Sequence, residues 1–61
     1  MIITLKDGST KEYSAPMSVL EIAKDISEGL ARAATAGEMD GEVVDLRHLV
    51  DRDCALSILT A

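Results

Sequence analysis

PMSVLEIAKDISEG, residues 16–29, decides how the rest of the chain must be organised. Ser18 and Glu21 stand at the spacing of a capping box, in which each side chain hydrogen-bonds the other's backbone N–H. Met17 and Ile22 occupy the positions of a hydrophobic staple around that cap. A helix is therefore predicted to start at Ser18. Val19, Ile22, Ala23 and Ile26 recur at i, i+3, i+4 and i+7 and form one apolar face. Glu21, Lys24, Asp25 and Glu28 turn to water. Gly29 is suited to a left-handed C-terminal cap, with Leu30 folding back on the last turn. A helix with a single apolar stripe needs a second layer to cover it.

The segments on either side supply that layer as strands. Upstream, IITL is apolar and β-branched, the Asp7-Gly8 dipeptide is a turn signal, and KEYSA continues as a second strand carrying Tyr13. The first fifteen residues thus read as a hairpin that Pro16 ends, because proline cannot donate to a ladder. Downstream, LARAATAGEM is rich in helix-favouring alanine. Asp40-Gly41, however, is a type I′ hairpin turn and requires a strand on each side, so Ala33 to Met39 is expected to pair with Glu42 to Asp45. Small side chains on the first of these strands leave room for the helix to approach, and Gly37 marks a bulge or a close backbone contact. LRHLVDRDC reads as a connector with one helical turn, directing Leu46, Leu49 and Val50 inward, and ALSILT is the final strand.

The predicted order is ββαβββ, an α+β domain in which one main helix covers a mixed five-stranded sheet. The first and last strands are the most continuously apolar and are expected to run parallel at the centre, with polar hairpin arms at the edges. This is the β-grasp arrangement of ubiquitin-like domains, and a right-handed crossover satisfies it. Residues 1–61 make one domain without internal repeat or linker.

Bulk composition then narrows the function classes. A chain this short buries only about 60% of the surface its unfolded form exposes, which leaves little room for a deep pocket. It has no Phe or Trp and one Tyr, so base stacking on aromatic side chains is nearly excluded. Its net charge of −5 opposes autonomous binding to phosphate backbones. Lys6, Lys11 and Arg32 are its candidates for a local basic patch. The lone Cys54 rules out an internal disulfide and suits a reducing cytosol, and Asp51 and Asp53 beside it would raise the thiol pKa rather than activate it. No apolar run approaches the roughly 20 residues of a membrane span, and no targeting segment is apparent.

No catalytic, cofactor-binding or metal-binding residue is predicted. Glu38, Asp40, Glu42 and Asp45 gather acidity around the second turn but lack the ligand spacing of a calcium loop. Glu38 and Glu42 are instead expected to stand near one another on a solvated hairpin, where charge discourages edge pairing with other chains. His48 has no second His or Cys at ligand spacing. Ser9, Ser14, Ser18, Ser27 and Ser57 have no evident base. The four glycines are too dispersed to cradle a phosphate. The ending SILTA lacks the Gly-Gly of a ubiquitin-type modifier or sulfur carrier, and a plant-type ferredoxin would need four cysteines.

Taken together, ITLKDGS (residues 3–9), SVLEIAKDISEGLARAA (18–34), DGEVVDL (40–46) and LSILTA (56–61) resemble the TGS domain, most closely the copy at the amino terminus of bacterial threonyl-tRNA synthetases. The chain departs from the common pattern at Lys6, where proline is frequent, and at Asp40, where asparagine is frequent. The resemblance implies a cytoplasmic parent that ligates threonine to its tRNA using ATP, a zinc-dependent class II homodimer with a separate editing domain. None of that parent's catalytic, zinc or editing residues has a matching position here. The fragment is thus expected to be a non-catalytic accessory domain of a longer chain. Its partners would be the rest of the synthetase and, weakly, tRNA, with no membrane involved. A regulatory TGS module of a GTPase or alarmone synthetase and a free-standing ubiquitin-like interaction domain are the alternatives.

Overall fold

In the computed structural model, which describes residues 1–61, Ser18 and Glu21 close the predicted capping box. Ser18 Oγ accepts from the Glu21 N–H at 3.1 Å, and Glu21 Oε1 accepts from the Ser18 N–H at 3.0 Å. Helix α1 (Val19–Ile26) follows, with Val19, Ile22 and Ala23 fully buried and Ile26 half-buried. The helix ends earlier than Gly29 suggested. Ser27 adopts an extended backbone (φ −169°, ψ 139°), closes α1 through its N–H to the Ala23 carbonyl, and caps a second helix, α2 (Glu28–Ala33), by accepting from the Leu30 N–H at 3.2 Å. A serine that can bond backbone groups locally competes with helix continuation. Gly29 accordingly lies inside α2 instead of capping α1, and part of the alanine-rich segment is helical as its propensity favours.

The main sheet has the order β2-β1-β7-β4-β5, built from β1 (Ile2–Leu5), β2 (Thr10–Glu12), β4 (Ala34–Met39), β5 (Glu42–Val44) and β7 (Cys54–Thr60). β1 and β7 run parallel with Ile3 opposite Cys54, as their apolar character predicted, and the other pairings are antiparallel. The second strand is shorter than KEYSA. Its ladder is prolonged by the Tyr13 N–H donating to the Met1 carbonyl at 3.0 Å and by the Met1 ammonium donating to the Tyr13 carbonyl at 2.7 Å.

The connector differs from its prediction. In place of a helical turn, the His48 N–H closes a turn on the Asp45 carbonyl at 3.0 Å. A two-residue strand, β6 (Leu49–Val50), then pairs antiparallel with β3 (Met17–Ser18). The His48 and Leu46 carbonyls accept from Val19 and Leu20 at 3.1 and 2.9 Å, so the connector satisfies orphan donors at the start of α1. Val50 is buried as expected and Leu46 packs on the core, but Leu49 is 54% exposed: alternation along β6 sends it outward.

The core joins Ile3, Val19, Ile22, Met39, Val50, Cys54 and Leu56. Each fully buried Val, Leu or Ile contributes about 1.5–3 kcal/mol, and no aromatic ring fills the centre. At Gly37 α1 approaches the sheet closely, since a Cβ there would stand 2.7 Å from Val19 Cγ1. The register shift of β4 lies between Ala34 and Ala36, so of the two readings of Gly37 close approach holds and the bulge falls beside Thr35.

Candidate interaction surface

The four carboxylates of the second hairpin do not converge. Asp40, at φ 50°, turns back on β7: Oδ1 accepts from the Ala55 N–H at 2.9 Å, its own N–H donates to the Ala55 carbonyl at 2.8 Å, and Oδ2 stands 3.6 Å from Arg52 Nη2. Asp45 Oδ1 accepts from the Arg47 N–H at 2.8 Å, and that bond holds its carboxyl below the usual range. The register places Glu42 opposite Met39, on the helix side, and Glu38 opposite Val43 and Ser57, on the outer side. Glu38 and Glu42 are thus separated by the sheet, contrary to the expected proximity, because a one-residue offset reverses the face. No group of three or more His, Cys, Asp or Glu is placed to hold a metal ion.

The remaining candidates are also dispersed. Burial, followed by the Asp40 charge, pushes the Cys54 thiol up, away from thiolate reactivity. Ser18 and Ser27 are caps, and Ser9 donates to Asp7 at 2.6 Å. Lys11 projects from β2 on the helix side and lies 3.5 Å from Asp25, so it is not free to join Lys6 and Arg32 in a basic patch. Tyr13 Oη donates to the same carboxylate at 2.9 Å, tying the first hairpin to α1. Partial burial and that acidic partner push the phenol up to about 12.

Two open clefts lie on the helix side. One, of about 390 Å³, is lined by Met39, Val44 and Leu49 together with Glu42, His48, Asp51 and Arg52. The other, of about 210 Å³, lies between Ile26 and Leu30 of the helices and Leu5, Leu56 and Ile58 of the sheet, beside Lys6. Periodicity alone did not reveal either cleft. The signal that bears on the first is the alternation in Leu49-Val50, which exposes one of the two residues.

The opposite side of the sheet has no covering layer. Pairing and alternation put Thr10 and Glu12 of β2, Ile2 and Thr4 of β1, Ala55, Ser57 and Leu59 of β7, Ala36 and Glu38 of β4, and Val43 of β5 on it. Ile2 is 45% exposed and Val43 63%.

A family model described as the TGS domain matches residues 1–60 of this chain. The chain belongs to the TGS domain family. Among curated proteins, the TGS domain is 60% identical over 58 residues to threonine–tRNA ligase of Clostridium botulinum strain Eklund 17B, which covers 95% of the chain. It is 55% identical over 58 residues to the threonine–tRNA ligase of Desulforamulus reducens, and 52% identical over 59 residues to that of Hahella chejuensis. In each case the TGS domain spans 9% of the relative's length. The β-grasp sheet with its parallel central pair agrees with this membership. No helix is long and apolar enough to cross a membrane.

Proposed function

We propose that this TGS domain, residues 1–61, is a non-catalytic accessory module of a longer cytoplasmic threonine–tRNA ligase, acting through contacts with the rest of that enzyme. The observation that carries the reading is identity of 60% over 95% of the chain with a threonine–tRNA ligase, covering helix, hairpins and closing strand alike. Ligation of threonine to tRNA with ATP, and the zinc and homodimer interface implied by the resemblance, belong to the remainder of such a parent. Ser18, Ser27, Ser9 and Asp40 are committed to caps and turns, and Cys54 to the core. The carboxylates outnumber the cations by 11 to 6, which favours protein contacts over tRNA.

Two assays on the 61-residue chain test this. Threonine-dependent ATP–pyrophosphate exchange is expected to be absent, and tRNA is expected to bind with an affinity of about micromolar or weaker at physiological salt. Measurable exchange, or nanomolar tRNA binding, would overturn the reading.

A further inference from the structure

The uncovered side of the sheet differs from the rest of the surface in its charge. Of the 17 Lys, Arg, Asp and Glu residues in the chain, only Glu12 and Glu38 belong to the strand positions that face this way. Asp53, whose Oδ1 accepts from the Ile2 N–H at 2.7 Å, stands at the margin. The cations lie elsewhere. Lys11 is on the helix side of β2, Lys24 on α1 and Arg32 on α2. Lys6, in the turn after β1, lines the cleft beside Leu30 together with Ser57 and stands at the margin of the face, Arg47 is in the turn after β5, and Arg52 pairs with Asp40. The face otherwise consists of Ile2, Val43 and Leu59 with short Thr, Ala and Ser side chains between them. A solvated sheet normally carries alternating polar residues on its water side.

We propose that this outer sheet face is the docking surface of the domain, and that its occupant is a protein surface on the remainder of the synthetase, apolar at its centre and carrying Lys or Arg opposite Glu12 and Glu38. The inference rests on the accessory-module reading and names the surface through which it works. Charge complementarity selects the occupant. A phosphate backbone would meet two carboxylates with Lys6 only at the margin beside Ser57, and a second copy of this face would set like charges against like. Threonine, alanine and serine at the centre let a partner backbone come close, while Ile2, Val43 and Leu59 supply apolar area to be desolvated.

The test uses a chimera in which this chain replaces the matching 58 residues of the Clostridium botulinum threonine–tRNA ligase. Single cysteines are introduced at the outer face (Thr4→Cys) and on the helix (Lys24→Cys), and site-resolved thiol labelling rates are compared between the chimera and the free 61-residue chain. Thr4→Cys is expected to label about tenfold more slowly in the chimera, corresponding to a face covered roughly nine-tenths of the time, with Lys24→Cys unchanged. Adding Glu38→Lys should restore fast labelling at Thr4→Cys, whereas Glu28→Lys on α2 should not. Protection at Lys24→Cys in place of Thr4→Cys would overturn the assignment of the face and leave the accessory reading standing. Protection at neither would overturn the proposal and leave the accessory reading to the exchange and tRNA-binding assays. Protection of Thr4→Cys only when tRNA is added would make RNA the occupant, and concentration-dependent protection in the free chain would make it a second copy. Either result overturns the proposal.

Discussion

The two hairpins turn on the same dipeptide and use it differently. At Asp7-Gly8 only the glycine takes a positive φ, 90°. The Gly8 N–H reaches the Leu5 carbonyl at 3.0 Å and the Leu5 N–H reaches the Ser9 carbonyl at 2.8 Å, a three-residue loop with the glycine at the bulge. The Asp7 carboxylate stays within its own turn, accepting from the Ser9 N–H at 3.0 Å and from Ser9 Oγ at 2.6 Å. At Asp40-Gly41 both residues take positive φ, 50° and 85°, as a two-residue I′ loop demands, and Asp40 reaches forward to Ala55 on β7. The first turn is a local device on an edge hairpin. The second is held by a neighbouring strand, and its hairpin is pressed against α1 at Gly37. What Asp-Gly becomes is set by what lies beside it.

If the second hairpin is held by tertiary contacts and the first by local ones, their mutations should separate in size. Gly37→Ala is expected to have the largest effect. Its Cβ would enter the space of the fully buried, rotamer-restricted Val19, so a loss of about 3 kcal/mol is expected in urea denaturation. A domain of this size has roughly 3–9 kcal/mol in total, so this variant should lose between a third and all of its stability. A loss below about 1 kcal/mol would mean that α1 is not seated on β4 as described.

Asp40→Ala should follow, at about 2 kcal/mol, from a β-carbon residue left in the left-handed region and the lost bond to the Ala55 N–H. Asp40→Asn keeps the acceptor and tolerates the same φ, so it should lie within about 0.5 kcal/mol of the parent. Equal losses in the two variants would implicate the Arg52 ion pair instead, which an exposed geometry makes weak.

Much of this contrast was legible beforehand. Ser18 with Glu21, the stripe from Val19 to Ile26, and Asp40-Gly41 depend on neighbours within a few residues, and each appeared where its spacing put it. Three features departed from the expectation, and one of them, the pairing of β3 with β6, depended on residues far away in sequence. Ser27 broke the helix because it was needed to cap α2. Met17-Ser18 found Leu49-Val50 across the fold to make β3 and β6. The two-residue Asp40-Gly41 loop sets Met39 opposite Glu42 and so sends Glu38 and Glu42 to opposite faces, a local rule that the expected proximity overlooked. The outer face was hidden for the reason that β3 and β6 were. Its members come from five strands and share a surface only after pairing.

Tyr13→Phe tests how the first hairpin is tethered. Losing the 2.9 Å bond to Asp25 should lower stability by about 0.5–1 kcal/mol, a small amount because both side chains remain near water. Partial burial of the phenol, followed by the same bond, predicts a pH limb. With the phenol pKa raised from 10.0 to about 12, its contribution is present below the ordinary value and lost as pH rises toward 12. Tyrosinate absorbance should therefore titrate near 12 in the folded chain and near 10 after unfolding, and a folded midpoint near 10 would show that Tyr13 is neither packed nor tethered as described.

The smallest effect is expected at Asp7→Ala, whose partner Ser9 is exposed. Its readout is acid sensitivity. The side-chain bond from Ser9, reinforced by the Ser9 N–H, lowers the Asp7 pKa below 3.8, so its contribution holds above that value and fades as pH falls through the folded one. The variant should show a shallower acid limb of stability than the parent, and an unchanged limb would mean that the Asp7–Ser9 turn is not formed in solution.

The measurement that bears most directly on the accessory role is reading the native frame beyond the codon for Ala61. An accessory domain of a threonine–tRNA ligase requires the frame to continue into regions matching the remaining length of those enzymes. A stop codon immediately after Ala61 would contradict it, and the domain would then have to act on a partner encoded elsewhere.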